Sequence, residues 1–300
     1  MIIKESDDLM LFDHKRYIEH IINKNGDDLD SIKLIMRSFE YFCEHADKGE
    51  KDYEYREPAC AIYRSLKWDI NRNETPNRNY DVINSFWTTF SWGLRHVDNA
   101  TYSIAPAGNI TIYKRHKEPY FSFPEKYNRN NKKELDDVLK LCEKYPTMSY
   151  FAELCHCVAN FMPCPGDNYN EAKGCLPDVQ DYFPLMVNKI QDQIDKHAIV
   201  SYKIGKEEKY IDVETFIKWQ KWFIDNRERF FLEDYYYVIK EDNGNERLIG
   251  IPLFRRQSLS YPTPLEKEEV KECLDNMIRI IKYRALKMNY QIKRYNLCMY

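Results

Sequence analysis

Glycine is scarce in this chain, at 9 of 300 residues. That leaves little room for glycine-rich phosphate loops or propeller repeats. No run of 18 apolar residues exists, so the sequence predicts no transmembrane helix. An excess of one charge is lacking as well: 45 Lys+Arg face 48 Asp+Glu, for a formal net charge of −3. Such a balance argues against a protein that coats nucleic acid, and against a membrane partner. Met1 to Asp8 contain no apolar stretch of the secretory kind. Cys298 stands third from the end, where no prenylation box would put it. Ser-His-Asp patterns, nucleophile elbows, Walker motifs, Rossmann fingerprints and His-Glu-x-x-His are all missing.

What is present is apolar and aromatic material. Hydrophobic residues make up 43% of the chain and aromatics 15%, enough to bury a core and to exclude wholesale disorder. The 24 tyrosines, with plentiful Asn, Lys and Ile, also fit an AT-rich coding genome, so tyrosine alone signals no function. Nine cysteines is an odd number; without a secretory signal they read as reduced thiols and point to the cytoplasm.

Periodicity predicts a mainly α fold: one globular helical domain over 1–300, with a small β hairpin or short strands. The alternative division is a core domain over 1–200 and a C-terminal helical subdomain over 201–300. Leu29, Ile32, Ile35, Met36, Phe39, Phe42, Cys43 and Ala46 make one apolar stripe that ends at Lys48-Gly49. Ala59 to Ile70 reads as helical, 71–79 as a polar loop, and the aromatic run Val82 to Trp92 as a buried helix. A hairpin or extended loop is expected around Pro106-Ala107-Gly108-Asn109. Further helices are expected over Lys132–Tyr145, Met148–Phe161 and Val179–His197, the last tolerating Pro184 only near its first turn or at a kink. Asp212 caps a helix with Phe216, Trp219, Trp222 and Phe223 on its apolar face. Asp242-Asn243-Gly244-Asn245 is a turn, and Arg247 to Phe254 a short strand. Thr263-Pro264-Leu265-Glu266 reads as a capping box for a helix running to about Asn289.

Polar chemistry is concentrated between Cys155 and Phe183. Cys155, His156, Cys157, Cys164 and Cys175 offer zinc-binding donors, but on a helix Cys155 and Cys157 point about 200° apart. Buried small hydrophobes are the simpler explanation, so no metal ligand set and no cofactor is assigned. On that same helix, His156 and Asn160 share a face. With Asn170 and Asp181 they form the candidate catalytic set. A core histidine bonded to Asn160 is the structural alternative, and it carries more weight. Asn84 and Arg95, near one face of the aromatic helix, would complement that pair across a cleft. Lys114 and Arg115, in a basic cluster, complete the candidate substrate-binding set. A second basic stretch holds Arg279, Lys282, Arg284, Lys287, Lys293 and Arg294; it reads either as a phosphate footprint or, with twice the weight, as a helix end matched to its dipole.

The segment His156-x-x-x-Asn160-Phe161-x-x-x-Pro165, with Asn170 and Asp181-Tyr182-Phe183 after it, resembles a pattern in uncharacterised bacterial and phage proteins. Ile83-Asn84-Ser85-Phe86 is similar to an upstream segment of that family. Ala159 stands where the family usually has Gly, and Tyr169 precedes Asn170. The resemblance covers about 30 residues firmly and about 100 loosely. It implies a shared fold and an accessory or host–phage conflict setting, but no assigned activity. The same segment faintly resembles the second half of HNH-like restriction endonucleases, although the Glu-His-Ile that usually precedes it stands far upstream at Glu19-His20-Ile21. Two functions follow as expectations. The first is a cytosolic binding protein with a protein or nucleotide partner. The second is a metal-dependent hydrolase or nuclease centred on His156 and Asn160.

Overall fold

A computed structural model describes residues 35–36, 59–68, 80–84, 111–115, 118–122, 157–166, 169–174 and 182–297, with Thr147, Tyr150, Phe151, Leu154, Leu176 and Val179 singly. In chain order the elements are α1 (Ala59–Ser65), β1 (Tyr80–Val82), β2 (Thr111–Arg115), β3 (Glu118–Ser122), a 3-10 turn (Val158–Asn160), β4 (Phe161–Pro163), α2 (Tyr169–Gly174), α3 (Phe183–Asp195), β5 (Val200–Ile204), β6 (Glu207–Ile211), α4 (Val213–Asn226), β7 (Tyr236–Lys240), β8 (Glu246–Gly250) and α5 (Lys267–Leu297).

Local chemistry sets the helix starts. Pro184 lies in the first turn of α3, where a missing N–H leaves no bond unmade. Tyr182 is the N-cap residue, so the helix starts at Phe183 rather than at Val179. The Asp212 carboxylate accepts from the Thr215 backbone N–H at 2.8 Å and starts α4. Bonding to Thr215 also holds that carboxyl below its usual range. The capping box on Thr263 is not what forms. Instead Glu269 reaches back to the N–H groups of Leu265 and Glu266, at 3.1 and 3.3 Å, so α5 starts three residues later than expected. Arg256 at 2.6 Å and the Tyr261 hydroxyl at 3.0 Å complete the ring of donors, and together they hold the Glu269 carboxyl at about 2. α5 continues to Leu297, well past Asn289.

The mainly helical single domain is not what the structure shows. About half of the described residues are helical and roughly a fifth lie in strands. The strands form four two-stranded antiparallel sheets, β1–β4, β2–β3, β5–β6 and β7–β8. Two causes stand out. Tyr80–Val82 pairs with Phe161–Pro163, a contact across some 80 positions that no local pattern announces. Alternating aromatic and β-branched residues after position 199 form two hairpins, of which the sequence announced only the turn at 242–245 and a short strand over Arg247 to Phe254. β2 and β3 pair with Arg115 opposite Glu118, and the expected turn over 106–109 lies outside the described residues. The turn at 241–245 is as expected, with Gly244 at φ 84°. Val82 to Asn84 is strand and bridge, so the aromatic segment does not open as a helix. Except for Ile35 and Met36, the predicted stripe from Leu29 to Ala46 lies outside the described residues. So do Lys48-Gly49, the loop 71–79, 85–92 and the helix expected over 132–145.

The core is aromatic. Phe183 sets ring edges against Phe223 at 5.4 Å and Tyr235 at 5.3 Å, while Trp219 meets Tyr169 at 5.2 Å. β8 lies tightly on α3. Residue 250 must be glycine there, because a Cβ would sit 2.0 Å from the Pro184 carbonyl oxygen. The outer edge of β8 is covered by side chains. Gln191 accepts from Leu248 N–H at 3.0 Å, Asn188 accepts from Gly250 N–H at 2.7 Å, and Gln220 donates to the Glu246 carbonyl at 3.2 Å.

Candidate functional site

The helix expected to run through Phe161 ends early. Thr147, Tyr150, Phe151 and Leu154 are helical, but Cys157 is extended, at φ −117° and ψ 160°. A residue preceding proline is pushed toward extended backbone, and Pro163 and Pro165 follow closely. β1 takes up the extended segment through its pairing with β4. Asn160 therefore closes a 3-10 turn, and the helical face it was expected to share with His156 is lost.

Asn160 and Asn84 meet in the core, where a cleft between two helices was expected. Both are fully buried. The Asn160 carboxamide clamps the Asn84 backbone: it accepts from Asn84 N–H at 3.1 Å and donates to the Asn84 carbonyl at 2.8 Å. The Ile83 N–H adds a bond to the Asn160 carbonyl at 2.7 Å. The Asn84 side chain donates in turn to the Tyr235 hydroxyl at 3.3 Å, and burial pushes that phenol's pKa up. Two asparagines thus continue a short strand pair by side chain and hold it to the last quarter of the chain.

Arg284 is the group the sequence reading misplaced. It is fully buried rather than part of a surface footprint. Its Nη1 donates to the carbonyls of Ala159 and Phe161, each at 2.6 Å, and its Nε to that of Phe230 at 3.0 Å. The guanidinium lies 5.7 Å from the Trp68 ring centre. Among the described residues no carboxylate pairs with it, and its buried Nη2 has no partner. Burial pushes the guanidinium down to about 10, so it stays charged at neutral pH. Two other members of the same basic stretch also turn inward or pair. Lys287 reaches Glu233 at 3.0 Å and Asp234 at 2.9 Å, and Lys282 sits 4.5 Å from the Tyr150 ring centre. A signal for Arg284 was available: Met277, Ile281, Arg284 and Met288 fall at helical spacing on one buried stripe.

The remaining candidates scatter. Asn170 is half-buried on α2, whose Lys173 pairs with Asp81 and donates to the Val82 carbonyl at 2.9 Å. Lys114 and Arg115 lie on β2, opposite Pro119 and Glu118. His156, Asp181 and Arg95 lie outside the described residues, as do Cys155 and Cys175. Cys157 and Cys164 are buried, and burial pushes the Cys157 thiol up to about 12 and that of Cys164 well up. Both are neutral thiols at physiological pH. Among the described residues no three His, Cys, Asp or Glu side chains converge as metal ligands would.

The geometry makes Asn160 a clamp, and a clamp has a stability signature. Asn160→Ala removes both side-chain bonds to the buried Asn84 backbone, and is expected to lower unfolding free energy by about 3 kcal/mol. A urea titration checks this. An unchanged midpoint would remove the structural role.

Compared with family models, with curated proteins and with solved structures, this chain matches none.

Proposed function

We propose that this chain is an interaction protein that presents the outer face of the β7–β8 hairpin to a protein partner. One observation carries the reading. Tyr237, Ile239 and Ile249 are 50%, 44% and 41% exposed, and strand alternation puts all three on one face. Tyr237 stands directly across from Ile249. An aromatic beside β-branched residues is a common interface core, and a hairpin anchored on its other face enters binding already ordered. Tyr236, Leu248 and Gly250 supply that anchorage from the buried face. Arg247, across from Ile239, is engaged by Asp195 at 2.5 Å and Glu241 at 3.2 Å, which suits the rim of a protein contact better than a phosphate site. A cytoplasmic, bacterial or phage accessory setting rests on the cysteine usage and the sequence resemblance. The hydrolase reading has less behind it, because Asn160 at its centre is buried and spent on backbone.

The test is a photocrosslinking amino acid placed at Ile249 in cells, with the same replacement at exposed Tyr290 on α5 as control. A discrete crosslinked band from position 249, missing from position 290, is the expected result. No band from position 249 above the control sinks the reading.

A further inference from the structure

The hairpin has two edges, and they are treated differently. The ladder is fixed by two bonds at its ends, Ile251 N–H to the Tyr235 carbonyl at 2.8 Å and Glu241 N–H to the Asn245 carbonyl at 2.8 Å. In an antiparallel pair the bonded positions alternate. Tyr237 and Ile239 therefore bond to β8, while the N–H and carbonyl groups of Tyr236, Val238 and Lys240 point away from it. On β8 the corresponding outward groups of Glu246, Leu248 and Gly250 are taken up by Gln220, Gln191 and Asn188. On β7 the Tyr236 carbonyl accepts from Arg227 at 3.0 Å. Among the described residues, the outward backbone groups of Val238 and Lys240 have no partner.

An open edge with apolar side chains at its centre is a template for another strand. Its only blunting charge is Lys240 at the very end. We infer that a second copy of this chain pairs its β7 with this β7, antiparallel about a two-fold axis at Val238. This rests on the hairpin being the interaction element, and it adds a contact along the β7 edge that leaves the outer face open.

The strand is self-complementary in that register. Val238 faces Val238, and the outward N–H and carbonyl groups left open in each copy meet those of the other. Tyr237 of each copy stands across from Ile239 of the other on the exposed face, which makes two aromatic–β-branched pairs. Charge also fits. Lys240 is 80% exposed at its side chain, with Glu246 no nearer than 4.0 Å. The two-fold register sets it across from Tyr236 of the second copy, so the two lysines lie at opposite ends of the joint and no like charges meet. The product is one four-stranded sheet in the order β8-β7-β7-β8, with no open central edge.

Analytical ultracentrifugation of the full chain across a concentration series tests this. The wild type is expected to shift from one to two chain masses as concentration rises. Ile239→Lys, a change at an exposed side chain, is expected to keep it at one. Val238→Pro removes an N–H that β8 does not use, and is expected to do the same. Hydrogen exchange supplies a readout independent of both variants: the amides of Val238 and Lys240 are expected to slow at least tenfold at the dimeric end of the series. A wild type that stays at one mass, or a dimer that Ile239→Lys leaves intact with those amides unprotected, overturns the inference. A monomer whose Ile249 crosslinks to a different protein sinks the homodimer alone. A monomer with no crosslink at all sinks the interaction reading with it.

Discussion

Arg284→Ala is expected to lower unfolding free energy by roughly 3–5 kcal/mol, the largest effect of any single change in the described chain. Two opposed quantities set the size of the loss. A buried guanidinium without a carboxylate is unfavourable in itself, so its removal relieves some desolvation. Against that stand three donated bonds, at 2.6, 2.6 and 3.0 Å, that the core would lose. Each lost bond costs about 1–3 kcal/mol, and the emptied volume adds more. The carbonyl side wins. Arg284→Met separates the parts, since it refills the space but restores none of the bonds; it is expected to recover only the cavity share. Arg284→Lys keeps the charge but cannot span acceptors on two separate segments, and is expected to recover part of the rest. Urea midpoints for the three variants check the order Lys above Met above Ala. Equal stability of wild type and Arg284→Met would show that the carbonyl bonds contribute nothing net.

Gly250→Ala is expected to lower stability by about 3 kcal/mol for an unrelated reason, overpacking. The added Cβ would lie 2.0 Å from the Pro184 carbonyl oxygen, 2.7 Å from its carbonyl carbon and 3.0 Å from its Cα. All three are backbone atoms in the first turn of α3, so no side chain can swing aside. Relief requires β8 to lift off the helix, which breaks the bonds from Leu248 and Gly250 to Gln191 and Asn188. Gly166→Ala is the matched control. A Cβ there meets nothing within 4 Å, and the expected change is within about 0.5 kcal/mol. Thermal unfolding of the two variants side by side gives the comparison, and a Gly250→Ala protein as stable as Gly166→Ala would contradict the packing described.

These two sites show where sequence reading succeeds and where it stops. Asp212, Pro184 and the Gly244 turn were legible because each acts on backbone within four residues. The stripe Phe216, Trp219 and Phe223 was legible because helical spacing is local too. The helix through Phe161 failed at Cys157, where β1 recruits the chain from positions far upstream. Thr263 failed against a competitor six residues on, since Glu269 gains Arg256 and Tyr261 as partners and Thr263 offers nothing comparable. For the candidate site, the pairing of Asn84 with Asn160 was visible as a guess from residue type. Its meaning was not, because burial is a property of everything packed around the pair. Arg284 was counted among surface cations for the same reason: its acceptors lie 125, 123 and 54 positions away.

Those separations also order events during synthesis. A ribosome delivers residues 159, 161 and 230 well before residue 284. Until then those three carbonyls lack their Arg284 donor, and the Trp68 ring lacks the guanidinium that lies 5.7 Å from its centre. Until α5 has left the ribosome, the surface it covers stays open to chaperones and proteases alike.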